Sequence, residues 1–182
     1  MGAPPLTDCP DRVKAILASL QISLESLAAR SLIFHPEARD LVVAEIDESG
    51  KEHLLIPPAA NAWRAMKASA SAEGIVMRIV SAFRTIDRQA EIVRAKIENG
   101  LSLESILCVS APPGYSEHHS GRAIDLGTDG VRALEQEFED TNAFRWLSTN
   151  ASRFGFALSF PPNNRYGYAY EPWHWCLEAA EA

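Results

Sequence analysis

The chain has 182 residues, 47% hydrophobic and 23% charged, with a formal net charge of -7 and a pI of about 5.2. That length can bury a real core in a single domain, and the expectation is one domain over residues 1–182. The acidic balance, with no Lys/Arg cluster, argues against nucleic acid or an anionic membrane as the main partner. No run approaches about eighteen apolar residues, so no membrane span is expected.

Met1-Gly2-Ala3-Pro4-Pro5 shows no basic region followed by an apolar one. On the sequence as given the expectation is therefore a cytoplasmic chain, and a chain trimmed of an export signal would read the same way. Cys9, Cys108 and Cys176 are an odd, sparse set without CxxC spacing. They are expected to be buried small hydrophobes or free thiols, with one disulfide between two of them left open.

Asp11 to Ser31 predicts one amphipathic helix, because Val13, Ile16, Leu17, Leu20, Leu24, Leu27 and Ala28 recur at helical spacing. Leu41–Asp47 is short and β-branched, ends in the turn signal Glu48-Ser49-Gly50-Lys51, and returns through His53–Ile56 to Pro57-Pro58, which predicts a hairpin. A helix is expected over Asn61–Ala72, then a strand over Ile75–Val80. Thr85 can cap a helix from Ile86 to Asn99 that Gly100 ends, and Leu103–Val109 suits a short helical turn.

The loop Ala111–Tyr115 leads to Ser116–Asp125, whose last residues predict a strand over Arg122–Leu126. Helices are expected over Val131–Phe138 and Thr141–Arg153, and strands over Phe156–Phe160 and Tyr170–Leu177. Helices mixed with hairpin-connected strands predict an α+β fold with a mostly antiparallel central sheet flanked by helices.

Two stretches carry candidate chemistry. His118 and Asp125 stand seven residues apart, and Glu171 stands three before His174. Two histidines, a carboxylate and a spare carboxylate make up the parts of a catalytic zinc site. Asp125 lies between Ile124 and Leu126, where a carboxylate is costly to bury unless it is paired or on a metal. By spacing alone, a metal site and an Asp125–arginine ion pair with a solvated His118 are equally good readings. His119 would point away from His118 on an extended backbone, which makes it a supporting or surface residue. Trp173 and Trp175 are expected to shield the site from bulk water, His35 to sit in a loop, and His53 to open an exposed strand.

Ser116-x-His118-x-x-Gly121-x-Ala123-x-Asp125 followed by Glu171-x-Trp173-His174 resembles the zinc D-alanyl-D-alanine carboxypeptidases of the VanY type. These belong to the group related to the hedgehog/DD-peptidase fold. Ser81-Ala82-Phe83-Arg84-Thr85 with Gln89 is similar to that family's upstream segment, with Phe83 where tyrosine is common. The resemblance runs from about Gly74 to Leu177, with the helix and hairpin of residues 1–73 integral to the domain.

The resemblance implies one Zn²⁺ ion on His118, Asp125 and His174, with Glu171 as general base and then general acid. It implies Arg84 at the oxyanion or the substrate carbonyl, and Ser116 on the substrate's terminal carboxylate. Gln89, Tyr115 and Trp173 would line the pocket. The implied substrate is a peptidoglycan stem peptide or fragment ending in D-alanine, cut by a monomer. The alternatives are an endopeptidase of the L-Ala-D-Glu type and a non-catalytic zinc-bearing binding domain. A cysteine hydrolase built on Cys108 or Cys176 finds no partner arrangement.

Overall fold

The structure, a computed structural model, describes residues 9–179; Met1–Pro5, inspected above for an export signal, lie outside them. The long N-terminal helix is in fact two helices. Helix α1 (Asp11–Ser19) stops at Leu20, Gln21 takes a φ of 59°, and Ser23 restarts the chain as α2 (Leu24–Ala29). The Ser23 hydroxyl accepts the Ser26 N–H, and that cap competes with continuing one helix through the same residues.

The hairpin pairs β1 (Val42–Ile46) with β2 (Glu52–Leu55) in antiparallel register. Asp47 organises its turn, accepting the Ser49 and Lys51 N–H groups on one oxygen and facing His53 Nε2 at 3.2 Å with the other. His53 is therefore not on an exposed strand; it is 2% exposed and paired inside the hairpin. Helix α3 (Pro57–Ala72) starts at the two prolines rather than at Asn61, because a proline in the first turn removes an N–H that would have no helical partner.

The buried Trp63 of α3 donates its indole N–H to Glu45 Oε2, and Glu45 Oε1 accepts the Ile79 N–H. One carboxylate thus ties the hairpin and α3 to the main sheet. That sheet holds β3 (Arg78–Ser81), β4 (Ala123–Gly127), β5 (Phe156–Leu158) and β6 (His174–Leu177) in the order β3-β4-β6-β5, antiparallel throughout.

Around it lie α4 (Ile86–Glu98), α5 (Leu103–Val109) and α6 (Asn142–Asn150), capped by the hydroxyls of Thr85, Ser102 and Thr141. The α+β architecture matches the expectation. Several expected elements shrink: the strand expected from Ile75 begins at Arg78, the one expected to Phe160 ends at Leu158, and two more change for a local reason. The 131–138 helix is only a 3₁₀ turn over Gln136–Asp140, after Leu134 at a φ of 61°. The last strand begins at His174, because Pro172 has no N–H for a ladder and the His174 N–H closes a turn onto the Glu171 carbonyl.

Strand β4 is buried along its whole length. Ile124 and Leu126 enter a core with Trp63, Phe156 and Trp175, which leaves Asp125 on the opposite face. Val13, Leu17 and Leu27 of the N-terminal helices form a second core with Ala90, Val93 and Ile106. Cys9, Cys108 and Cys176 are free thiols. Truncating Ile124 to alanine is expected to cost about 2–5 kcal/mol by opening a cavity at the sheet centre. A fall in the denaturant midpoint at unchanged slope checks it.

Candidate metal centre

The sheet register builds the centre. Asp125 on β4 lies opposite Ser81 on β3 and His174 on β6, so three strands present these side chains in one row. His118 arrives from a 3₁₀ turn over Glu117–Ser120 that ends at Gly121, whose φ is +66°. A Cβ at Gly121 would meet Ile56, Leu41 and Ala38 side-chain atoms at 3.1–3.2 Å. Glycine lets the motif pass that close to the hairpin and to the segment before it.

His118, Asp125 and His174 are all buried, and one ligand atom from each lies within 4.8 Å of the others. His118 Nε2 is 3.1 Å from Asp125 Oδ2, and His174 Nδ1 is 2.9 Å from Asp125 Oδ1. The other nitrogen of each ring is committed elsewhere. His118 Nδ1 donates to the Ala82 carbonyl at 2.8 Å, and His174 Nε2 donates to Glu117 Oε2 at 3.0 Å. With a metal bound, those partners would set each ring's tautomer and leave one lone pair of each imidazole aimed at the cluster.

The electrostatics ask for a cation there. Burial alone would lower the His174 imidazole, yet its hydrogen bonds to Asp125 and Glu117 push it up to about 10. Burial would raise Asp125, yet His118 and His174 hold it far below the usual carboxylate range. Burial pushes the neighbouring Glu171 carboxyl up to about 7, with His174 opposing. Two imidazoles and one carboxylate, in a buried group short of positive charge, suit Zn²⁺ and leave a coordination position open.

The remaining candidates frame a cavity of about 570 Å³, lined among others by Arg84, Gln89, Ser116, Glu171 and Trp173. Glu171 Oε2 stands 3.9 Å from His174 Nδ1, and Arg84 Nη2 stands 3.9 Å from Asp125 Oδ2. Arg84 is held by Gln89 Oε1 at 2.8 Å and by the Ser81 hydroxyl at 2.9 Å, while Gln89 Nε2 donates to the Ala111 carbonyl. Two expectations fail. Tyr115 does not line this cavity; it packs edge-on against Phe34 in the N-terminal core. Trp175 does not shield the site, because its place opposite Ile124 turns it into the sheet's apolar core.

Sequence reasoning missed three residues. Glu117 accepts from His174 Nε2 and from the Ser159 hydroxyl at 2.6 Å, which makes Ser159 the second of them. His119, read as a supporting or surface residue, is 0% exposed; its Nδ1 donates to the Arg84 carbonyl at 2.6 Å and its Nε2 accepts the Gly114 N–H. Burial pulls its imidazole down to about 4, in keeping with a neutral ring that bridges two backbone segments. The signal was the glutamate beside His118, but adjacent side chains diverge differently in a 3₁₀ turn than on an extended backbone.

An antiparallel sheet with this His–Asp–His cluster in the wall of a cavity defines a hedgehog/DD-peptidase-like fold. The chain belongs to the VanY family, whose description is D-alanyl-D-alanine carboxypeptidase and whose profile matches residues 52–179. A putative carboxypeptidase, YodJ of Bacillus subtilis, is 33% identical over 149 residues, which cover 76% of this chain and 53% of that protein. The chain thus spans about half the length of the curated relatives it matches.

Among solved structures, the LD-carboxypeptidase LdcB superposes with a TM-score of 0.69 at 31% identity, covering 78% of this chain and 69% of the other. A variant of the vancomycin-resistance D,D-pentapeptidase VanY, in complex with Zn(II), superposes at 0.59 with 26% identity, covering 79% and 85%.

Proposed function

We propose that this chain is a zinc-dependent carboxypeptidase that hydrolyses the bond to a C-terminal D-alanine in peptidoglycan stem peptides or their fragments. One observation carries the reading: a buried His118–Asp125–His174 cluster with Glu171 at its edge, at the wall of a cavity. The Zn(II) complex of a family neighbour supports the metal, and the carboxypeptidase relatives support the reaction.

His118 Nε2, an Asp125 oxygen and His174 Nδ1 would hold the ion, which when bound polarises the scissile carbonyl and acidifies water. Glu171 takes the proton of the attacking water and hands it to the leaving amine, and burial, which raises its carboxyl, favours its holding that proton between the two steps. Arg84, fixed by Gln89 and Ser81, stabilises the charge that grows on the carbonyl oxygen. Ser116 hydrogen-bonds the substrate's terminal carboxylate, and Trp173 walls the cavity. Tyr115 takes no part.

The reading treats residues 1–182 as one domain acting as a monomer. The N-terminal helices bury Val13, Leu17 and Leu27 against α4, the helix that supplies Gln89, and every group invoked comes from a single chain. The test is direct. Purified protein loaded with zinc is incubated with pentapeptide, tetrapeptide and dipeptide substrates ending in D-alanine, and release of D-alanine is followed by mass spectrometry. Full zinc occupancy without turnover on all three would defeat the proposal.

Glu117 fixes the His174 ring from behind, and outer partners of a metal-bound histidine are worth about 10–100-fold in metal affinity. Glu117→Ala is expected to weaken zinc binding by about that factor in competition with a chelating dye. Ser159→Ala, which removes only the bond to Glu117, should weaken it less.

A further inference from the structure

Two cations line the cavity, and they are not equally free. Arg84 spends Nη1 on Gln89 and Nη2 on Ser81, and it faces Asp125. Its remaining field is therefore directed at the metal centre, where the scissile carbonyl must lie. Lys96 is placed differently. It lies seven residues after Gln89, two turns along the face of α4 that also presents Ile92 to the cavity.

Its Nζ is 2.6 Å from the Ser110 hydroxyl, its one hydrogen-bonding partner among the described residues. Of the other three lysines, Lys14 pairs with Asp11 and Lys67 with Glu45, while the exposed Lys51 reaches only the Val80 carbonyl at 3.5 Å. An ammonium carries three donors, so two of those on Lys96 are uncommitted. Burial lowers its pKa, while Glu171 acts to raise it. Half-burying a cation beside a neutral hydroxyl, in a cavity wall that also holds Ile92 and Val109, costs free energy that no protein carboxylate offsets by contact. A ligand carboxylate would offset it.

We infer that Lys96, held by Ser110, is the cation that reads the free terminal carboxylate of the substrate and so restricts this site to removing C-terminal residues. The inference rests on the proposed carboxypeptidase reading and sharpens it: the substrate must present an unblocked carboxylate one residue beyond the scissile bond. Ser116 supplies a hydrogen bond to that group, and Lys96 supplies the opposite charge. Gln89 and Lys96 reach adjacent residues, Ala111 and Ser110, so the ammonium sits beside the Arg84–Gln89 pair rather than in a separate pocket.

The experiment compares an N-acetylated D-Ala-D-Ala substrate as the free acid and as the C-terminal amide, on wild type, Lys96→Met and Lys96→Arg. A charge-assisted hydrogen bond in a half-exposed site predicts that Lys96→Met raises KM for the acid by about tenfold, with kcat within about twofold. KM for the amide should not move, and Lys96→Arg should restore most of the acid's affinity.

Equal changes for acid and amide would overturn the inference, as would no change for either. A KM effect that instead followed a side-chain carboxylate elsewhere on the peptide would also overturn it. If wild type cleaves neither compound, the carboxypeptidase reading has failed on its own. Calorimetric binding of the same acid and amide to wild type and Lys96→Met then still tests the subsite, and a preference for the acid that survives in Lys96→Met rejects it.

Discussion

Glu171→Gln is expected to lower kcat on a D-alanine-terminated peptide by about 10²–10⁴-fold, the range of a lost general acid–base group. Zinc content should stay at the wild-type level, because Glu171 lies outside the His118–Asp125–His174 cluster and approaches His174 Nδ1 only to 3.9 Å. Glutamine keeps the volume and polarity of the side chain but can neither take nor return a proton. The loss should therefore fall on kcat, with KM little changed. An aspartate ligand in place of a third histidine would leave a bound ion less positive and make an outside base more necessary. A variant that keeps near-wild-type turnover would remove Glu171 from the mechanism.

The parts of this centre that could be read in the sequence are those where residue type alone constrains the chemistry. A carboxylate between Ile124 and Leu126 on a strand demands a partner, and the structure supplies two imidazoles within 3.1 Å. The strand assignment for residues 122–126 was enough to put Asp125 opposite the apolar side chains, because the period of two is rigid.

What stayed hidden depended on a local conformation with a weak signature. Reading Ser116–Gly121 as extended sent His119 outward and gave Glu117 no role. A short 3₁₀ turn instead buries His119 on the Arg84 carbonyl and half-buries Glu117 against His174. Tyr115, two residues before that turn, was placed in the pocket by the family resemblance and belongs to another core. Trp175 shows the same rule from the other side. Alternation on β6 puts it and His174 on opposite faces, so it could never have shielded the site.

The N-terminal helix was misread because seven apolar residues keep helical spacing straight through Ser23. Only the capping chemistry of that serine breaks the run.

His118→Ala should abolish both zinc binding and hydrolysis, and the two losses should not be separable by adding metal. In the proposed centre His118 would supply one of three donor atoms. Its removal must weaken binding by more than the about 10–100-fold that an outer partner such as Glu117 is worth. The fold need not be lost with it. The backbone bond from the Arg84 N–H to the His118 carbonyl survives an alanine, and the ring's own bond to the Ala82 carbonyl is a single neutral hydrogen bond.

A ligand that binds only the folded state stabilises it by mass action. The melting temperature of wild type should therefore climb with zinc concentration, and that of His118→Ala should stay flat over the same range. Asp125 makes this contrast sharper. In the metal-free wild type it faces two imidazoles within 3.1 Å, and in the variant one, so the apo variant should also melt below apo wild type. A variant that still gained stability from zinc would show that the ion sits elsewhere in the chain, and the catalytic roles given to Glu171 and Arg84 would fall with it.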